Sequence, residues 1–170
     1  MVTVLRHLLS ILALPFTVNV LVPLWIAGRY GVEPRLAANP GELALQVAGA
    51  ALLAVGFGFF LASLRRFAGE GEGTLAPWDP PRRLVVRGPY RYVRNPMISG
   101  VVMFLLGEAA VLLSLPHAVW AAAFLALNCV YIPLLEEPQL ARRFGEPYRE
   151  YCRHVPRVFP RIRPWQPRGG

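Results

Sequence analysis

Three long stretches with almost no charge constrain the fold of this chain more than any other feature. Residues 8–28 and 43–64 carry no formal charge over 21 and 22 residues, and residues 95–135 carry only that of Glu108 over 41 residues. A helix that spans a bilayer needs about 20 predominantly apolar residues. The third stretch is too long for one span and has the right length for two, with a turn at Pro116-His117.

These stretches predict an all-α fold, an integral membrane bundle of about four transmembrane helices. Downstream, apolar residues recur at helical spacing from Phe144 to Val155, which predicts a cytoplasmic amphipathic helix at about 138–154 that is stopped by Pro156. The predicted spans are 8–28, 43–64, 96–115 and 117–135. We expect a single membrane domain, 1–170, made of the first two spans (1–64), a cytoplasmic connector (65–95), a transmembrane hairpin (96–135) and a cytoplasmic C-terminal segment (136–170).

The charges lie between the apolar stretches. All 18 basic residues are arginines, and the formal net charge is +8. Because the arginines do not form one soluble face, the pattern favours a bilayer partner and argues against nucleic acid. Residues 65–94 hold seven arginines and residues 136–170 hold eight, so the positive-inside tendency predicts a multi-pass protein of the inner (plasma) membrane with both termini in the cytoplasm. We expect no disulfide and no metal site, since Cys129 and Cys152 fall in different compartments and no metal-ligand spacing exists.

Several residues inside the predicted spans carry expectations of their own. A stripe of small residues at four-residue spacing, Ala50, Ala54, Gly58 and Ala62, predicts close packing against another helix. Glu108 is expected to face the bundle interior or a cavity, with two roles open: a functional one, or a structural one in which its protonated form bonds to Asn128. His117 is interpreted as an interfacial loop residue at the hairpin turn.

Two polar clusters flank the predicted hairpin. One is "RGPYRYVRNPMISG" at 87–100, and the other occupies residues 132–161. Both ends of a hairpin lie on the same side of a membrane, so these clusters are expected to meet. Glu136 and Glu137 opposite Arg91 and Arg94 suggest a ligand that bears both a cation and an anion. The alternative is a boundary ion pair with arginines that only anchor the helices.

The two clusters together resemble the isoprenylcysteine carboxyl methyltransferase and phospholipid methyltransferase superfamily. Its pattern is Gly-x-Tyr-x-x-x-Arg-His-Pro-x-Tyr-x-Gly, then a Glu-Glu pair, then Phe-Gly-x-x-Tyr-x-x-Tyr and Val-Pro. The similarity covers about residues 74–161. In this chain the pattern is carried by Gly88, Tyr90, Arg94, Asn95, Pro96, Ile98, Gly100, Glu136, Glu137, Phe144, Gly145, Tyr148, Tyr151, Val155 and Pro156.

The resemblance implies a membrane-embedded methyltransferase that uses S-adenosylmethionine and a lipophilic or lipidated acceptor. It implies Arg94 and Glu137 as catalytic residues. The residues it implies for cofactor binding are Leu84, Val85, Tyr90, Arg94, Asn95, Pro96, Met97 and Glu136. The charged groups suit this cofactor, because an acidic pair can bind its amino group or ribose hydroxyls and Arg94 can bind its carboxylate.

The chain departs from the superfamily pattern at three positions. Asn95 replaces the usual His, and Ile98 replaces the usual Tyr. Ile132 occupies the position of an Arg that is expected to hold the carboxylate of a prenylcysteine, which argues against that acceptor. Two other functions remain open: an NADPH-dependent membrane reductase of the sterol reductase type, which shares the "RYxRxP" element, and a non-catalytic membrane protein that retains the fold. The sequence sets no oligomeric state.

Overall fold

The computed structural model describes residues 12–70 and 83–166, and within these ranges it is helical without β-strands. The predicted all-α class is therefore confirmed. The start of the predicted first span, residues 8–11, and the middle of the connector, residues 71–82, lie outside the described ranges. The helices are α1 (Val22–Tyr30), preceded by a π-helical segment (Leu12–Leu21), α2 (Pro40–Glu70), α3 (Pro96–Val111), α4 (Leu115–Tyr131), a π-helical segment (Ile132–Glu136), α5 (Glu137–Phe144) and α6 (Glu146–His154).

Two helical stretches in the described ranges are long and apolar enough to cross a membrane. They are Pro40–Arg66 and Leu115–Phe144, whereas the apolar α3 has only 16 residues. Only 17% and 22% of their most apolar parts are buried inside the protein. The core helix of a soluble protein would be mostly buried, so these faces suit lipid. The count of four spans stays a prediction.

Helix α3 lies at the centre of the bundle and packs against α2, α4 and the first π-helical segment. Its Val101 and Leu105 form a core with Ala121 of α4. Val18, Phe60, Trp120 and Phe124 surround this core. A short helix buried on several sides accounts for the high apolar content of α3.

Helices α2 and α3 cross with their backbones in direct contact at two glycine pairs. A Cβ added at Gly56 would lie 2.8 Å from the Gly100 carbonyl oxygen, and one added at Gly49 would lie 2.9 Å from that of Gly107. The small-residue stripe predicted for this role is wrong in position, because a Cβ at Gly58 would meet nothing within 4 Å. Gly58 lies two residues from the contacting Gly56, and two residues rotate a helical position by about 200°, to the opposite face of the helix.

The hairpin turn falls earlier than the sequence predicts. Helix α3 ends at Val111, and Leu113 adopts a positive φ of 49°. Pro116 belongs to the first turn of α4, where a proline costs no hydrogen bond. His117 is not an interfacial loop residue, because it is only 2% exposed. Its Nδ1 lies 2.7 Å from Ser114 Oγ, and its Nε2 lies 3.2 Å from the Pro23 carbonyl oxygen.

The expected bond between Glu108 and Asn128 is also wrong. Asn128 Nδ2 donates instead to the Phe124 carbonyl of its own helix, and Glu108 Oε2 is buried without a partner among the described residues. Glu108 lies near the end of α3, close to the turn, whereas Asn128 lies 13 positions into α4. Because a helix rises 1.5 Å per residue, Asn128 is about 20 Å from the turn. Antiparallel helices therefore keep the two side chains at different depths.

The fourth helix does not end at Pro133. The helical path continues from Leu115 to Phe144, with the π-helical segment around Pro133. A wider turn accommodates the missing N–H and the ring of an interior proline. The predicted amphipathic helix at 138–154 is in fact two helices, which meet at Gly145 with φ 61° and ψ −136°. This backbone conformation is accessible mainly to glycine.

Candidate functional site

The first polar cluster forms a compact turn in front of α3. Gly88 has φ 55°, and a 3₁₀ turn follows at Gly88–Arg91. Pro96 then begins α3 and is fully buried. Glycine tolerates the left-handed conformation and proline suits the first helical turn, so the turn geometry follows from the sequence. We call residues 87–95 the arginine segment.

The C-terminal residues 155–165, here called the tail, lie along the arginine segment and are held to it through backbone hydrogen bonds. The amide of Arg94 donates to Pro156 O at 2.8 Å, and that of Arg161 donates to Tyr92 O at 3.0 Å. Ser99 Oγ also donates to Val158 O at 2.7 Å. The expectation that the two polar clusters meet in space is therefore confirmed.

Arg91 and Trp165 close the far end of this contact. The Trp165 amide donates to Arg91 O at 2.9 Å, and Arg91 Nε donates to Trp165 O at 2.6 Å. The Trp165 ring stacks on His154, with 5.2 Å between ring centroids. Arg91 was expected to face the glutamate pair, but its Nε is engaged by the tail instead.

A buried aromatic cluster fixes α6 against the arginine segment. Tyr148, Tyr151 and Val155 form a core, against which Leu84 and Trp165 pack. The Tyr151 hydroxyl donates to the Tyr90 carbonyl oxygen at 2.6 Å. Burial raises the pKa of the Tyr90 phenol well above its usual range, so that hydroxyl remains protonated and able to donate.

Three charged side chains meet beside this cluster. Arg94 Nη1 lies 2.8 Å from Glu137 Oε1. Arg157 binds the same carboxylate with two donors, Nε to Oε1 at 2.7 Å and Nη2 to Oε2 at 2.9 Å. The side chains of Arg94 and Glu137 are only 12% and 16% exposed. Two guanidinium groups thus share one carboxylate, which leaves an excess positive charge in a partly buried place.

The ion-pair group borders an open cleft of about 440 Å³. Arg94 Nε is buried and has no hydrogen-bond partner among the described residues. Buried N–H groups in native proteins are nearly always paired, so this unpaired donor in a cleft-lining residue is a candidate contact for a ligand acceptor. The residues that line the cleft are Arg94, Pro133, Glu137, Pro138, Ala141, Tyr148, Arg149, Cys152 and Arg153.

Two predicted site residues line the cleft directly, and these are Arg94 and Glu137. Glu136 does not line the cleft. The pKa of Tyr90 is raised mainly by burial, then by the neighbouring Tyr151, and third by the Glu136 carboxylate. Glu136 therefore lies near enough to Tyr90 for its charge to act on the phenol. Consecutive residues of a helix point about 100° apart, which separates the two glutamates.

The other predicted residues lie outside the lining of the cleft. Leu84 packs on the tyrosine cluster, Val85 is buried, and Pro96 is fully buried. Asn95 Nδ2 approaches the Arg157 carbonyl oxygen at 3.4 Å. Met97 is half-buried in the first turn of α3.

Sequence reasoning missed Arg157, which makes the strongest contact with Glu137. Its place in "HVPRVFPR" gave no signal, because Arg157 and Arg161 both directly follow a proline and, of these two, it is Arg157 that binds Glu137. Tyr148 and Tyr151 were recognised as motif and helix residues, yet their role in holding the arginine segment appears only in the folded chain.

Comparison with known proteins agrees with this geometry. No curated protein and no solved structure matches the chain. A family model described as phospholipid methyltransferase matches residues 45–147. The match includes α3, α4, the arginine segment and both glutamates, which is well over half of the chain. The chain therefore belongs to the phospholipid methyltransferase family.

Proposed function

We propose that this protein transfers a methyl group from S-adenosylmethionine to a lipophilic or membrane-associated acceptor that carries a carboxylate, a thiol or an amine. The observation that carries the proposal is the cleft, where Arg94 Nε is buried without an acceptor from residues 12–70 or 83–166 and Glu137 lies alongside. Such a site suits a ligand with both an anionic and a cationic end. Membership in a methyltransferase family supports the same chemistry.

The charged residues divide the binding work between them. Arg94 would bind the carboxylate of the amino-acid end, and Glu136 would bind the amino group or the ribose hydroxyls through charge-assisted bonds. Tyr90 would contact the adenine or the sulfonium, since an aromatic face attracts a cation. Leu84, Val85, Asn95, Pro96 and Met97 would complete the wall. No metal is required.

Positioning supplies most of the rate in this proposal. When bound, S-adenosylmethionine supplies an electrophilic methyl group. Arg94 and Glu137 line the cleft together, so they would fix the orientation of the donor relative to the acceptor. Holding two reactants in line can supply several kcal/mol of the barrier, about 7–11 kcal/mol in the best intramolecular cases.

The surroundings of Pro133 support an acceptor that arrives from the bilayer. Pro133 lines the cleft, whereas its neighbours Leu134 and Leu135 are 67% and 52% exposed. Exposed leucines on a helix of this length suit contact with lipid chains. An amphiphile could thus reach the cleft sideways while its tail stays in the membrane. The molecule would be a single multi-pass domain with the cleft on the cytoplasmic side.

The test is calorimetric titration of the detergent-purified protein with S-adenosylmethionine, S-adenosylhomocysteine and NADPH. We expect the two sulfur compounds to bind and to raise the melting temperature by mass action, and NADPH to do neither. Arg94→Ala should lower the affinity for both sulfur compounds about 10- to 100-fold, since one charged hydrogen-bonding partner is lost. Arg163→Ala removes an exposed arginine of the tail and is the matched control. Stabilisation by NADPH alone would establish the reductase alternative.

A further inference from the structure

Arg157 belongs to the tail, beyond the residues that the family model matches. It nevertheless reaches back to the cleft and binds Glu137 with two parallel N–H donors, a geometry typical of strong guanidinium–carboxylate pairs. We propose that Arg157 is a positioning residue, which by holding Glu137 keeps Arg94 available for the carboxylate of the cofactor. This inference rests on the proposed function.

Arg94 and Arg157 share the two Glu137 oxygens unequally. Oε1 lies within bonding distance of Arg94 and Arg157, while Oε2 bonds to Arg157. Arg94 therefore uses one Nη1 contact on this carboxylate, and its Nε stays without an acceptor among the described residues. Without Arg157, both Glu137 oxygens would be free to pair with Arg94 in the fork geometry that a guanidinium prefers.

Charge balance leads to the same conclusion. Two arginines and one glutamate leave one positive charge uncompensated beside the cleft. Loss of Arg157 would leave the Arg94–Glu137 pair neutral, so this pair would contribute less attraction for an anion. Both Arg94 and Glu137 are mostly buried, so solvent would screen this change only in part. The effect should fall on the carboxylate of the ligand and not on its adenine or sulfonium.

Decarboxylated S-adenosylmethionine is the matched probe, since it lacks only the carboxylate. The experiment measures the dissociation constants of both compounds for wild type, Arg157→Gln, Arg157→Lys and Arg161→Gln. Arg161 is the control, because it lies in the same tail and its Nη1 donates to the His154 carbonyl, away from Glu137.

In Arg157→Gln we expect the preference for the carboxylated compound to fall about 10-fold, with no loss of affinity for the decarboxylated one. Arg157→Lys should lose less, since an ammonium restores the charge but not the two parallel donors. Arg161→Gln should keep the wild-type preference. If Arg157→Gln does not fold, Arg157→Lys carries the test, and an unchanged preference there overturns the inference.

Two outcomes separate this inference from the proposed function. If wild type binds neither compound, the proposed function fails, and the inference fails with it. If wild type binds both compounds and Arg157→Gln lowers the affinity for both equally, or changes neither affinity, then Arg157 only holds the tail in place. In that case this inference alone is overturned.

Discussion

At the scale of single residues, the neighbouring glutamates have different surroundings. Glu137 is held by two arginines, whereas Glu136 lies beside the buried Tyr90 and away from the cleft lining. A glutamate that already satisfies two cations is costly to neutralise, because its partners lose their shared carboxylate. The two positions should therefore respond differently to the same substitution.

We expect Glu136→Gln to lower the affinity for S-adenosylmethionine about 10- to 100-fold with little change in melting temperature, since one charge-assisted bond to the ligand is lost. Glu137→Gln should lower the melting temperature as well, because Arg94 and Arg157 would face each other without their carboxylate. Titration and thermal unfolding of both variants would check this. Wild-type affinity in Glu136→Gln would show that this carboxylate does not hold the cofactor.

At the same scale, the sequence predicted Arg94 and Glu137 but not Arg157. The first two belong to short patterns next to apolar stretches, so their place at a helix end could be inferred. Arg157 depends on how the tail runs back over residues 91–95, and that path is fixed by backbone hydrogen bonds with no side-chain pattern. A contact between residues 20 positions apart in the chain leaves no periodic signal of its own.

At the scale of elements, the crossing of α2 and α3 depends on glycines at two levels. Gly49 meets Gly107, and Gly56 meets Gly100, with seven residues between the levels on each helix. Seven residues are about two helical turns, so both pairs lie on one face. Backbones that approach this closely gain dispersion contacts that larger residues would prevent.

Gly56→Ala should lower the free energy of unfolding by about 1–3 kcal/mol, because its Cβ would lie 2.8 Å from backbone atoms of α3 and the helices would have to separate. Gly58→Ala is the matched control two positions away, where nothing lies within 4 Å. Because alanine favours a helix over glycine, that variant should be as stable as wild type or more stable. Thermal unfolding in detergent measures both. Equal melting of the two variants would contradict the crossing.

The elements themselves were largely predictable, but their contacts and ends were not. Uncharged stretches located the helices, since lipid-facing and buried faces are both apolar. That uniformity also hid which face packs inward, so the sequence placed the close contact on Gly58 instead of Gly56. A proline misled in the same way, because Pro116 was expected to mark a turn that lies before it.

At the scale of the whole molecule, the helix pairing fixes which loops share a side. Gln46 Nε2 donates to the Val111 carbonyl oxygen at 2.9 Å, which brings the start of α2 to the end of α3. The loop before α2 and the turn before α4 therefore lie at one end of the bundle. The tail lies at the other end, beside the start of α3.

Single cysteines at Leu36, Leu115 and Ile162 would test this arrangement in a protein without Cys129 and Cys152. All three positions are strongly exposed, at 92%, 76% and 98%. In intact cells, a membrane-impermeant thiol reagent should label Leu36→Cys and Leu115→Cys but not Ile162→Cys, since the positive-inside tendency predicts that the arginine-rich segments face the cytoplasm. Labelling of Ile162→Cys alone would reverse the orientation, and labelling of all three would exclude a bundle that crosses the membrane.

The hydrogen bonds between the tail and the arginine segment also set an order for biosynthesis. Synthesis runs from the N-terminus, so α2 and α3 can leave the ribosome before residues 155–165 exist. The helices can enter the bilayer first, while the cleft still lacks Arg157 and the amides that cover the arginine segment. A nascent chain arrested before Arg157 would occupy the membrane without a finished binding site, so the capacity to bind ligand would arise only after Arg157 has been translated.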